Sequence, residues 1–118
     1  MENFTVIRQE HLNHYGYLFG GQMLSWVDEF CWITAMREYP DNILVTRAMD
    51  NIEFKTQAES GSILRFDINF IEKGKSSLKY SVEVYAMAPE SSLEEKVFTT
   101  NITFVNVDKN GNKCAIKI

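Results

Sequence analysis

Only two cysteines, Cys31 and Cys114, occur in the chain, and neither has motif spacing. Two isolated thiols suit a reducing cytoplasm better than a disulfide scaffold. Histidine is as scarce: His11 and His14 are the only two, no H-x-x-x-H lies on a helix, and Cys31 is no third ligand by spacing, so no metal site is expected. A G-x-S-x-G run is missing, which disfavours a serine hydrolase. No apolar run approaches the length of a membrane span, and the opening MENFTVIRQE is too charged and mixed for a signal peptide, so neither a membrane nor an export route is expected. A basic excess is lacking too; the net charge of −4 does not suggest a nucleic-acid partner. There is no repeat, low-complexity tract or linker. What remains is a single domain over residues 1–118, with 45% hydrophobic residues, enough for one core.

The most organised stretch is Asn13 to Asp28, NHYGYLFGGQMLSWVD. Asn13 to Leu18 reads as a loop, and Phe19-Gly20-Gly21 as a joint where the backbone can approach another group closely. From Gly20 a helix runs to about Glu38, ended by Pro40. Asp28 lies seven residues beyond Gly21, about two turns, and so on the same face. A helix N-terminus offers unpaired N–H groups and a positive dipole end. One face thus combines a seat for a developing oxyanion with a carboxylate, which suits attack on a carbonyl. Two glycines before a helix also serve a plain turn, and an acid beside Ser25 and Glu29 also suits a solvated face.

The helix is apolar on most sides, leaving a narrow polar stripe of Gln22, Ser25, Asp28 and Glu29. Burying it requires a sheet wrapped around it or a second subunit. Alternating segments supply the sheet. Phe4–Arg8 reads as a first strand, and Ile43–Lys55 ends with Ile52 and Phe54 facing one way. Ile63–Ile71 places Leu64, Phe66, Ile68 and Phe70 on one face, and Leu78–Ala86 does so with Leu78, Tyr80, Val82 and Val84. Val97–Val107 turns Phe98, Ile102 and Phe104 to one side; an Asn110-Gly111 hairpin follows, with a terminal strand expected over Lys113–Ile118. A nine-residue strand and an eighteen-residue helix both span roughly 30 Å. The order β-α-β-β-β-β therefore predicts an α+β fold, one long helix across a strongly curved antiparallel sheet.

The run N-x-x-G-x-x-F-G-G-x-x-[LM]-x-x-x-D, carried by Asn13, Gly16, Phe19, Gly20, Gly21, Leu24 and Asp28, resembles the signature of hot-dog-fold acyl-CoA thioesterases, in the YciA-like and cytosolic acyl-CoA hydrolase branch. The resemblance continues through Val45-Thr46, the strand ending at Phe54, and Gly74-Lys75-Ser76-Ser77, and spans about residues 10 to 112. It implies hydrolysis of acyl-CoA to a free acid and CoA, with no cofactor, since CoA belongs to the substrate and product. It implies a homodimer whose sheets join edge to edge, stacked further into tetramers or hexamers. It implies that Asp28 is the catalytic acid or base and that Asn13 reaches the site from the other subunit. Gly21, with Gly20, would direct a backbone N–H at the thioester oxygen, and Thr46 and the Gly74-Lys75-Ser76-Ser77 turn would meet the substrate or its CoA moiety. A non-catalytic acyl-CoA-binding module is the alternative. The sequence departs from the family where Phe30, Cys31 and Trp32 replace small residues after the acid, which predicts a narrowed acyl pocket. Lys73, Lys75 and Lys79 are candidates for CoA phosphates. Cys31 lacks a base and reads as core.

Overall fold

A computed structural model describes residues 1–118. Strand β1 (Glu2–Val6) and a short 3-10 turn (Gln9–His11) precede helix α1 (Gly20–Glu38). Strands β2 (Leu44–Phe54), β3 (Ile63–Lys73), β4 (Ser77–Met87) and β5 (Glu94–Asn106) follow. All five strands form one antiparallel sheet in the order β1-β3-β4-β5-β2. The expected order of elements and the helix bounds hold.

The alternation expected of the central strands is what places the core. Leu64, Phe66, Ile68, Leu78, Tyr80, Val82 and Val84 are all sealed from solvent, as are Phe98, Ile102 and Phe104 of β5. These side chains share the face that holds α1. The helix inserts Met23, Val27, Cys31 and Ala35, spaced by four, into that face. Its aromatic neighbours extend the contact: Phe30 and Trp26 both meet the ring of Phe66 edge-on, at 4.9 and 6.4 Å between centroids. At the far end, the Tyr80 hydroxyl donates to Glu38 across 2.7 Å.

Four details differ from the sequence reading. Strand β1 lies two residues earlier than expected, because the Met1 ammonium donates to the Ile68 carbonyl while the Ile68 N–H donates back, pairing the edge from its first residue. Phe70 is 43% exposed, beyond the end of the helix-covered face. The terminal residues form no strand beyond the bridge of Val107 to Lys113. Instead the Asn42 amide holds both backbone groups of Lys117, and Asn106 donates to the Ala115 carbonyl. Finally, α1 buries one stripe in this sheet, not most of its circumference: Trp32 is 41% exposed, and Leu24, Ile33 and Met36 are only partly covered.

Strand β2 departs furthest. Ile52 and Phe54 are 44% and 53% exposed, although the Phe54 ring still meets buried Phe98 edge-on at 4.8 Å between centroids. Register shifts between Thr46 and Ala48 and between Asp50 and Glu53, with Asn51 at φ 52°, break the alternation on this edge strand. One side of β2 pairs with β5; the other is an open ladder along eleven residues.

The core depends on Phe66 because it is fully buried and meets two helix aromatics. Phe66→Ala is expected to lower stability by about 3–5 kcal/mol, read from the urea midpoint with an unchanged slope.

Candidate functional site

The loop before α1 is organised by Asn13. Its side-chain Oδ1 accepts the N–H groups of Tyr15 at 2.9 Å and Tyr17 at 3.2 Å, closing a turn on its own backbone. Oδ1 is thereby committed within the loop, and the Nδ2 donor is left for another group. The loop is pinned to the body through Leu18 N–H to the Ala58 carbonyl and Phe19 N–H to the His11 carbonyl. His11 accepts from the Arg8 N–H through Nδ1 and rests edge-on against Trp26 at 4.7 Å. His14 lies against Tyr15. No three His, Cys, Asp or Glu side chains gather as metal ligands.

Helix α1 then starts without a side-chain cap. The carbonyl of Phe19 accepts the N–H groups of Gln22 and Met23. Those of Gly20 and Gly21 precede any helical partner and point out of the helix start. A Cβ on Gly21 would sit 2.6 Å from the Phe19 ring, and one on Gly20 would touch Phe54 at 3.4 Å. The close approach expected at this joint is therefore to aromatic rings. Asn13 and Gly20 line one cavity of about 210 Å³, walled by Leu18, Met23, Phe54 and Val97. Lys55, Thr56, Gln57 and Ala58 complete its rim.

Asp28 lies elsewhere in the chain. It is half-buried, not enclosed, and its Oδ1 accepts the Thr46 hydroxyl at 2.6 Å. Thr46 thus holds the carboxylate against the open edge of β2, while no hydrogen bond within the chain engages Oδ2. One turn on, Trp32 Nε1 donates to the Leu44 carbonyl at 3.0 Å. Helix α1 therefore runs along β2 in the opposite sense, with Gly20 at the Phe54 end and Asp28 at the Thr46 end.

The Gly74-Lys75-Ser76-Ser77 turn joins β3 to β4. The Gly74 N–H donates to the Ser77 carbonyl at 2.9 Å, and a Cβ on Gly74 would lie 2.5 Å from Ser77 Oγ, so a larger residue there would require the Ser77 hydroxyl to turn aside. The Ser76 and Lys75 carbonyls accept from the Asn106 and Ile116 N–H groups, tying the turn to the C-terminal tail. Through the ladder Leu78–Phe104–Thr46 this turn belongs to the Asp28 end of the sheet. The Asn13 cavity belongs to the row Val84–Phe98–Phe54. Six residues of β4 separate the rows, about 20 Å.

One chain therefore brings together Asn13 with Gly20, and Asp28 with Thr46, but not the two pairs. Phe30 and Trp32 do not line any cavity: Phe30 packs on Phe66, and Trp32 bonds to the end of β2. Lys79 pairs with Asp50 at 3.7 Å, and Lys73 Nζ lies 3.5 Å from the Gly74 carbonyl. Phe54, Gln57 and Val97 were not expected in a site. The adjacent apolar pair Val97-Phe98, which interrupts the alternation of β5, was the available signal.

A sequence model of the Thioesterase superfamily matches residues 15–91, well over half of the chain. The chain belongs to the Thioesterase superfamily. This hot-dog chain is 31% identical over 101 residues to YkhA of Bacillus subtilis, an uncharacterized acyl-CoA thioester hydrolase, covering 84% of its own length and 57% of that protein's. It is 26% identical over 112 residues to another such protein, ZMO0511 of Zymomonas mobilis, covering 95% and 74%. Its fold superimposes on Cj0915 of Campylobacter jejuni, a hexameric hot-dog-fold thioesterase, with TM-score 0.86 and 28% identity, over 98% of this chain and 88% of that one.

Burial, with added repulsion from the Asp28 and Glu38 carboxylates, pushes the Cys31 thiol far up, so it carries no thiolate near neutral pH. Cys114 is partly exposed. Iodoacetamide at neutral pH is expected to modify Cys114 and to spare Cys31 until the protein is unfolded, as read by peptide mass mapping.

Proposed function

We propose that this thioesterase-family chain hydrolyses acyl-CoA to a free acid and CoA, without a cofactor, in sites shared across a homodimer. The observation that carries the reading is the open edge of β2, with half of a site at each end. Two copies of an antiparallel edge paired about its middle set the Phe54 end of one beside the Thr46 end of the other. That pairing satisfies the unpaired ladder and covers the exposed Val45, Ile52 and Phe54. It also brings Asn13, Gly20 and Gly21 of one subunit toward the Asp28–Thr46 pair of the second. The names of the curated relatives support the substrate class, and the hexameric Cj0915 supports assembly of such subunits.

In this site the thioester carbonyl lies between Asn13 Nδ2 and the N–H groups at the start of α1, which take up the charge that forms on oxygen. Asp28 acts through Oδ2, removing a proton from water as it attacks, or attacking the carbonyl itself to give an anhydride that water then opens. The CoA thiolate leaves and is protonated. Thr46 acts as a positioning residue that keeps Oδ1 occupied and Oδ2 aimed, and the Gly74-Lys75-Ser76-Ser77 turn, on the Asp28 side, receives the CoA moiety. A non-catalytic binding module would need none of this pairing of donor and carboxylate.

Two experiments test the reading. Asn13→Asp preserves the acceptor that orders the loop but removes the Nδ2 donor, so kcat for thiol release is expected to fall by about 10²-fold or more with stability unchanged; turnover close to wild type would remove Nδ2 from the mechanism. The second tests sharing. All-Asn13→Ala and all-Asp28→Ala proteins are each expected to be nearly inactive. Co-expressed with distinct tags, about half of randomly paired dimers are mixed, and each mixed dimer has one intact site. Activity should return to about a quarter of wild type by symmetry alone. Verified mixed dimers as inactive as either parent would show that the site is not shared in this way.

A further inference from the structure

The Asn13 cavity has a neighbour with which it shares part of its lining. This second cavity, of about 430 Å³, is lined by Ala86, Ala88 and Leu93 and opens beside the β4–β5 loop. The two cavities share Thr56, Gln57 and Val97, and Val97 is the one apolar residue common to both.

Val97 stands there because of a bulge. Val84 pairs with Phe98 and Tyr85 pairs with Lys96, so Val97 is the extra residue on β5. A bulge re-aims a side chain, and here two consecutive residues, Val97 and Phe98, are both turned inward, at 3% and 0% exposure. The Val97 carbonyl also accepts the Lys55 N–H at 2.8 Å and the Thr56 N–H at 3.4 Å. The same residue therefore anchors the backbone of Lys55 and Thr56 and lines both cavities.

We propose that Val97 is the stop that sets acyl-chain length, and that the substrates are short- to medium-chain acyl-CoAs. This rests on the thioesterase reading above. With the carbonyl at Asn13 and Gly20, the acyl tail runs inward between Leu18, Met23 and Phe54 and ends on the Val97 methyls. The cavity offers about 210 Å³ before that stop, space suited to a short or medium chain. The chain-length limit expected from Phe30 and Trp32 is thus assigned to a different residue. Shortening Val97 joins the first cavity to the second; lengthening it shallows the first.

The test is kcat/KM for thiol release from butyryl-, octanoyl-, dodecanoyl- and palmitoyl-CoA, with wild type, Val97→Ala and Val97→Leu. Ratios between substrates within one preparation are independent of the fraction folded. Wild type is expected to fall at least about tenfold from octanoyl to dodecanoyl, the discrimination that a few misplaced methylenes give. Val97→Ala should raise the dodecanoyl-to-butyryl ratio by about tenfold, and Val97→Leu should lower the octanoyl-to-butyryl ratio. Should Val97→Ala not fold, the wild-type profile and Val97→Leu decide. A wild type that favours dodecanoyl- or palmitoyl-CoA, or variants that keep the wild-type ratios, would overturn the role of Val97 and leave the thioesterase reading standing. Hydrolysis of no acyl-CoA by wild type would remove both.

Discussion

Everything in this molecule is positioned by the seating of one apolar helical stripe, Met23, Val27, Cys31 and Ala35, in the concave face of β3, β4 and β5. Apolar burial is non-directional, so it brings the helix to the sheet without fixing where along the sheet it lies. Directional contacts supply that: Tyr80 to Glu38 at one end, Trp32 to Leu44 and Thr46 to Asp28 along the side. Once the helix is placed, its two glycines fall at one end of β2 and its carboxylate toward the other. The site's geometry is therefore a property of helix register on the sheet, and loop conformation adds only Asn13.

Parts of this were legible in the sequence for definite reasons. Gly20-Gly21 and Pro40 bracket the helix because the chain changes conformation there, and such changes demand particular residues. The alternation of β4, and of β3 as far as Ile68, is clean because there each strand has one face on α1 and one outside. Strand β2 could not be read that way. It carries two register shifts, so that Leu44 and Met49 meet the core while Val45, Ile52 and Phe54 stay more than 40% exposed. Alternation reports burial, and it is ambiguous about what does the burying.

The site divides along the same line. Asn13, Gly20 and Gly21 are neighbours in sequence, and the local loop that joins them left a recognisable spacing. The bond from Thr46 to Asp28 bridges eighteen residues and depends on how α1 lies beside β2, which no local pattern encodes. The role that the resemblance implies for Thr46, contact with the substrate, gives no hint of this bond to the carboxylate. The Val97 bulge is of the same kind, visible only once β4 and β5 are in register.

The strand order has a consequence for how the chain assembles. Strand β1 pairs only with β3, and β2 pairs only with β5, so both edges of the sheet come from the first half of the sequence. Only the β3-β4-β5 meander is local. During synthesis from the N-terminus, β1, α1 and β2 are complete before any surface exists to receive them, and Leu44 must wait for Asn106. The closure of that long loop is a slow, non-local step. Until it occurs β2 has two free edges instead of one, and a nascent copy exposes to its neighbours a ladder that the finished chain keeps for β5.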